Sequence, residues 1–210
     1  MAGDSQIGAE SPATKSAGRA YHRAVRCFVA LDLPDPVYRH LADVTVPLRD
    51  RYDVKWVHPE DMHMTLLFAG DLTDPDVDDL IDAVMDIDIP PLSLRLQRLG
   101  HFPPRAVPRV LWAGVGGDIE ALDRLHGDLE AAATDLGIER DRRGFTPHVT
   151  LGRVTSDFGA LAMVDALQRL GDDLKQKPFA PRALTVYSSE LRPTGPIYRA
   201  LLERPVPAAD

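Results

Sequence analysis

The chain has 210 residues, 44% of them hydrophobic and 27% charged, with a formal net charge of −8. That size and balance suit one globular domain or two small lobes, and the negative charge argues against a non-specific nucleic-acid coat. Its apolar runs, such as those around Phe28 and Leu66, are far shorter than the roughly 20 residues of a membrane span. The single cysteine, Cys27, excludes an internal disulfide and a cysteine-based zinc cage, and its apolar surroundings predict a buried thiol.

In chain order, residues 1–23 are rich in Gly, Ala and Ser and poor in large apolar residues. They read as a flexible tail without an export signal, so a cytoplasmic protein is expected. RCFVALDLP (26–34) reads as a strand ended by a turn, and 37–48 as a helix entered through Pro36. HMTLLFAG (63–70) reads as a strand. Asp74 is the expected N-cap, with Pro75 at the first helical position, of a helix to Ile87 that carries Val77, Leu80, Ile81 and Val84 at helical spacing. Eight aspartates and no Lys or Arg fall between Asp71 and Asp88, which reads as a solvated helix face. Strands are expected at 92–100 and 109–115, then a helix over 118–136 with Ile119, Leu122, Leu125, Leu129 and Ala132 on one face. HVTLGRV (148–154) is a strand, 158–170 a helix closed by Gly171, and 183–191 and 197–202 are strands before a short tail at 205–210. Arginines gather at 95, 98, 105 and 109 and again at 140, 142, 143 and 153. They are either surface charge or a funnel for a phosphate-bearing ligand.

The order strand, helix, strand, helix, strand occurs twice, over about 26–100 and 109–191. HMTL and HVTL occupy the same slot in each half. The expected fold is α+β and bilobal. Two pseudo-duplicated lobes of sheet plus helices, with antiparallel-rich sheets, would surround a central cleft. One interleaved domain is expected over 24–204.

Side chains alternate along a strand, so His63 and Thr65 share one face while Met64 and Leu66 enter the core; His148 and Thr150 do the same. Two imidazoles on opposite walls can act as general base and general acid near neutral pH. Threonine hydroxyls can hold the non-bridging oxygens of a phosphate undergoing in-line displacement. A lone His-x-Thr usually means only a polar outer face; its repetition favours the chemical reading. A zinc site needs a third ligand, and neither strand offers Cys or a carboxylate on that face. Histidines 22, 40, 58, 101 and 126 have no paired context.

With these motifs the sequence resembles the 2H phosphoesterases, specifically the bacterial and archaeal RNA 2′,3′-cyclic phosphodiesterases, formerly described as 2′-5′ RNA ligases. RCFVALDLP is similar to that family's opening strand, HMTL and HVTL to its two His-x-Thr-x motifs, RVLWAGV to the strand that opens the second half, and LTVYSSELRPTGPIYRAL to its C-terminal hairpin. The resemblance implies a bilobal α+β fold, a central cleft, no required metal or cofactor, and hydrolysis of terminal 2′,3′-cyclic phosphates on RNA to 2′-phosphomonoesters. It implies His63 as proton donor, His148 as proton acceptor, and Thr65 and Thr150 as phosphate ligands. It implies an assisting, substrate-binding role for Arg153, although ideal alternation turns Arg153 away from His148 unless a bulge intervenes. Phe28 and Phe145 could stack on a base, but each reads more readily as an ordinary core residue. Gly152 departs from the family's pattern, where a bulkier residue is expected. The longer N-terminal tail is a second departure. A monomer acting on RNA ends away from membranes is expected. Other readings are hydrolysis of a small cyclic nucleotide or ADP-ribose cyclic phosphate, a non-catalytic RNA-end or nucleotide binding module, and end joining by the reverse reaction.

Overall fold

Among the described residues, eight stretches become strands. They are β1 (Val25–Leu31), β2 (Val54–Trp56), β3 (Met64–Leu72), β4 (Leu94–Phe102), β5 (Val110–Gly117), β6 (His148–Val154), β7 (Ala183–Arg192) and β8 (Gly195–Pro205). Between them run α1 (Asp35–Arg49), α2 (Asp74–Asp86), α3 (Ile119–Asp135) and α4 (Ala160–Leu170), with short 3₁₀ turns at Pro59–Asp61 and Gly171–Leu174. This computed structural model describes residues 24–139, 144–174, 177–193 and 195–208, the side chains of 172 and 173 excepted. The expected tail at 1–23 and the arginines at 140, 142 and 143 lie outside the described residues.

Every strand pairing is antiparallel, and the strands form two four-stranded sheets, ordered β3-β1-β7-β8 and β2-β6-β5-β4. Set side by side, β3-β1-β7 corresponds to β6-β5-β4. The third strand of each half has crossed to the other half's sheet, so neither lobe is built from one continuous segment. The helices follow the same exchange. α2 packs on the first sheet with α3 beside it, while α4 lies against β4 and touches α1. One continuous buried cluster runs through both lobes, from Leu31, Leu33 and Met64 to Leu111, Val149 and Leu184.

Local chemistry explains the element ends. α2 begins one residue earlier than expected: Thr73, not Asp74, is the N-cap, because Thr73 and Asp76 form a reciprocal capping box, with Thr73 Oγ1 2.6 Å from Asp76 Oδ2. At the other end of α2, Arg204 of β8 donates to the carbonyls of Val84 (2.7 Å) and Ile87 (2.6 Å). Gly171 does not stop the chain's coiling, since at φ −59° it continues into the 3₁₀ turn. The aspartates from Asp71 to Asp88 are all exposed, and Cys27 is a buried free thiol. β8 carries the ladder to Pro205, and Val206 N donates to Arg182 O at 3.1 Å. No described helix is long and apolar enough to cross a membrane.

Candidate active site

The two His-x-Thr segments meet where the sheets adjoin, because β3 and β6 contact each other across the lobe boundary. Met64, Leu66, Val149 and Leu151 are buried on the helix side, while Thr65 and Thr150 stay half-buried on the opposite face. The two imidazoles are held alike. His63 Nδ1 lies 2.8 Å from the carbonyl of Asp61, and His148 Nδ1 lies 2.7 Å from the carbonyl of Thr146, in each case two residues upstream. A carbonyl only accepts, so Nδ1 carries the hydrogen in both rings and Nε2 is left for other chemistry. Burial holds both rings below the ordinary histidine range, and the backbone bonds partly offset it. His63 also feels the charge of His148, which lowers it further, and that of Asp32, which raises it.

Each strand is bulged after its threonine. On β3, Ala30 pairs with Thr65 and Val29 with Leu67, leaving Leu66 as the extra residue. On β6, Trp112 pairs with Thr150 and Leu111 with Gly152, leaving Leu151 extra. A bulge resets strand parity. Phe68 and Arg153, each five residues after its histidine, therefore return to the face that carries His and Thr. Both are exposed.

On the first sheet, Phe28 stacks against His63 at 4.8 Å and against Tyr187 at 5.2 Å, and Tyr198 meets His63 edge-on at 5.3 Å. Beneath them Asp32, 1% exposed, accepts hydrogen bonds from Thr185 Oγ1 and Tyr187 Oη, both at 2.7 Å. Burial and this bond push the Tyr187 phenol far above its ordinary range. On the second sheet, Phe102 meets His148 edge-on at 5.2 Å, Trp112 lies 6.2 Å from it, and the Arg98 guanidinium sits 5.7 Å over the Trp112 ring. Burial holds the Tyr198 phenol above its ordinary range, and the charge of Arg153 partly offsets this. Lys55 is the cross-strand partner of Arg153 on β2. Among the described residues, neither Lys55 nor Arg153 has an ion-pair partner, whereas Arg109 is held by Asp157 at 2.6 Å.

His63, Thr65, His148, Thr150 and Arg153 are thus brought to one place. Of the two readings of Phe28 and Phe145, core packing or base stacking, both residues take the core one. Phe28 is 4% exposed beneath His63, and Phe145 stacks on His126 at 4.1 Å. His126 Nδ1 in turn lies 2.9 Å from the carbonyl of the bulged Leu66, tying α3 to the first motif. Sequence reasoning missed Asp32, Tyr187, Tyr198, Phe68 and Lys55. Only Phe68 had a readable signal, its position matching that of Arg153 in HMTLLF and HVTLGR.

A model of the family described as LigT-like phosphoesterase matches the chain twice, over residues 31–112 and 117–198. The RNA 2′,3′-cyclic phosphodiesterase of Aeropyrum pernix is 32% identical over 150 residues, covering 71% of this chain and 85% of that protein. The enzyme of the same name from Thermotoga maritima is 29% identical over 184 residues, covering 85% and 94%. Among solved structures, TT0787 of Thermus thermophilus superposes with a TM-score of 0.71 at 24% identity, covering 88% of this chain and all of that one. E. coli LigT complexed with 3′-AMP gives 0.69 at 22% identity, covering 87% and 98%. These last two likenesses concern the fold.

Proposed function

This chain belongs to the LigT-like phosphoesterase family, and from that premise we propose that it opens RNA 2′,3′-cyclic phosphate ends to 2′-phosphomonoesters by a two-histidine mechanism. The observation that carries the reading is the matched pair of Nδ1–carbonyl bonds on adjoining strands, which leaves the Nε2 atom of each ring for proton transfer. The names of the relatives supply the substrate. His148 Nε2 takes a proton from water as the water oxygen bonds to phosphorus. The P–O3′ bond breaks, and His63 gives its Nε2 proton to the departing 3′ oxygen. Thr65 and Thr150 donate to the non-bridging oxygens, whose charge grows in the transition state.

The acid, base and oxyanion donors are all side chains of one chain, so the proposal is of a monomer that needs no metal or cofactor and acts in the cytoplasm. Arg153 and Lys55 favour a polynucleotide end over a small cyclic nucleotide. Two like charges opposite each other on neighbouring strands repel, and an anion between them relieves that cost. They stand about one strand pair, roughly 7 Å, beyond Thr150. That is a fitting place for the phosphate that precedes the terminal ribose.

The deciding assay uses an oligonucleotide ending in a 2′,3′-cyclic phosphate, with and without EDTA, and resolves the products. The expected outcome is a 2′-phosphomonoester at an EDTA-insensitive rate. A 3′-phosphate product, or activity lost to the chelator and restored by zinc or manganese, overturns the mechanism.

A further inference from the structure

The two halves place their histidines alike but not the groups beneath them. In the first half Ala30 pairs with Thr65 and Leu31 with Met64, so the next step brings Asp32 opposite His63. In the second half Trp112 pairs with Thr150, Ala113 with Val149, and Gly114 with His148. Asp32 and Gly114 are therefore counterparts. One places a carboxylate beside its histidine, and the other has no side chain at all. The Asp32 backbone keeps its pairing with β7, through Asp32 N to Ala183 O at 2.9 Å and Arg182 N to Asp32 O at 2.8 Å. Its side chain is fixed by Thr185 Oγ1 and Tyr187 Oη at 2.7 Å each, and the Tyr187 ring lies 6.1 Å from His63.

A carboxylate out of water is costly unless it is hydrogen-bonded, and its field is strong because little water screens it. Arg182, the cation beside it, is 3.9 Å away and 60% exposed, so solvent weakens its compensation. We propose that Asp32 is a positioning residue that sets the direction of proton flow, keeping the transferable proton on His63 while Gly114 leaves His148 to be the base. This inference rests on the two-histidine reading and explains why two rings held by the same backbone bond take opposite roles. After each turnover His63 is neutral and His148 protonated. The Asp32 charge favours return of a proton to His63 from solvent.

The other groups around the pair do not supply this asymmetry. Asp61 and Thr146 each offer one carbonyl, and His148 repels a charge on His63. Tyr187 and Tyr198 are phenols held above their ordinary range. The charge of Arg153 acts on Tyr198, those of Asp32, Arg182 and Asp35 act on Tyr38, and Arg182 lies 3.9 Å from Asp32. Among the described residues, Asp32 is the carboxylate whose charge acts on His63, and none acts in that way on His148.

The test is Asp32→Asn, which keeps the shape and an acceptor for the two hydroxyls but removes the charge. Ring-proton NMR titrations of His63 and His148 are followed in the resting protein, each signal assigned by its loss in the matching His→Ala variant. Hydrolysis of a dinucleotide 2′,3′-cyclic phosphate is followed against pH. The expected result is a fall of about one pH unit in the His63 midpoint, with His148 moving much less. The alkaline limb of the rate profile, though it belongs to the pair jointly, should move in the same direction and lower the rate at fixed pH on that limb by up to about tenfold. An unmoved His63, or equal movement of both rings, overturns the role of Asp32. Arg182→Gln, a change at the surface, is the second arm. It leaves the carboxylate less compensated and should move the His63 midpoint upward; a fall or no change also overturns the proposal. Failure of the two-histidine reading shows differently, as parent-like rates in His63→Ala or His148→Ala whatever the titrations report.

Discussion

Gly152 lies so close beneath β2 that a Cβ there would sit 2.6 Å from Val54 Cγ1 and 3.2 Å from the Lys55 carbonyl. Gly152, where the resemblance leads one to expect a bulkier residue, is thus the residue that lets β2 pair closely with β6. Gly152→Ala should push β2 outward and cost about 1–3 kcal/mol, the usual range for overpacking. Urea unfolding reads this as a lower midpoint at unchanged slope. Because Lys55 rides on β2, the variant should also weaken binding of oligonucleotide more than that of nucleoside 2′,3′-cyclic phosphate. A midpoint equal to the parent's would mean that β2 moves freely and that its packing is not what selects glycine.

Thr65 and Thr150 are half-buried on the face opposite the core, so removing their hydroxyls should leave the fold nearly as stable as before. Their proposed work is to donate to charge that develops at phosphorus. Loss of one such donor commonly costs about 2.7–4 kcal/mol, or roughly 10²–10³ in turnover. Thr65→Val and Thr150→Val should each show that loss in kcat with thermal midpoints close to the parent's. Two valine variants that turn over normally would make the threonines ordinary strand residues.

The reach of the sequence can be judged from the same neighbourhood. Strand alternation placed His63 and Thr65 on one face and Met64 in the core, and β6 has the predicted limits, because a seven-residue apolar alternation is a strong local signal. Arg153 was legible only conditionally. Its parity depends on a bulge at Leu151, which is set by pairing with β5 and leaves no mark in HVTLGRV. β2 was missed because three residues containing a lysine carry no period. The exchange of β4 and β7 between the sheets is a matter of long-range pairing, and local periodicity does not report partners. Asp32, followed by Leu33 and Pro34, reads as the start of a turn, and its partners Thr185 and Tyr187 lie more than 150 residues away.

Lys55 and Arg153 give a prediction about substrate length. Hydrogen bonds to charged groups contribute about 1.5–3 kcal/mol each, but both side chains are exposed and screened, so the lower end applies. Lys55→Ala and Arg153→Ala should each raise KM for a dinucleotide 2′,3′-cyclic phosphate about tenfold. KM for the corresponding nucleoside 2′,3′-cyclic phosphate should change much less. The effect on the dinucleotide should shrink as salt is raised. Equal losses on both substrates would place these cations at the reacting phosphate and remove the argument for a polynucleotide end.

The pH dependence follows from the two buried rings. In the proposed mechanism turnover needs one imidazole protonated and the other neutral, so the rate should be bell-shaped, with limbs that belong to the pair jointly. Burial lowers both rings from the ordinary value of 6.5. In the free enzyme, reported by kcat/KM, the optimum should therefore fall below about 6.5. A bound phosphodiester is an anion that favours imidazolium, so the kcat profile should lie at higher pH than that of kcat/KM. The same lowering makes the fold sensitive to acid. A histidine with a depressed folded pKa contributes stability above its unfolded value of about 6.5, and that contribution is lost as pH falls toward the folded value. His63→Ala and His148→Ala should each reduce turnover about 10²–10⁴-fold, and the double variant should lose far less than the product because the pair works as a unit. A kcat/KM optimum above pH 7.5, or losses in the double variant that multiply, would mean that the two rings do not share one proton-transfer sequence.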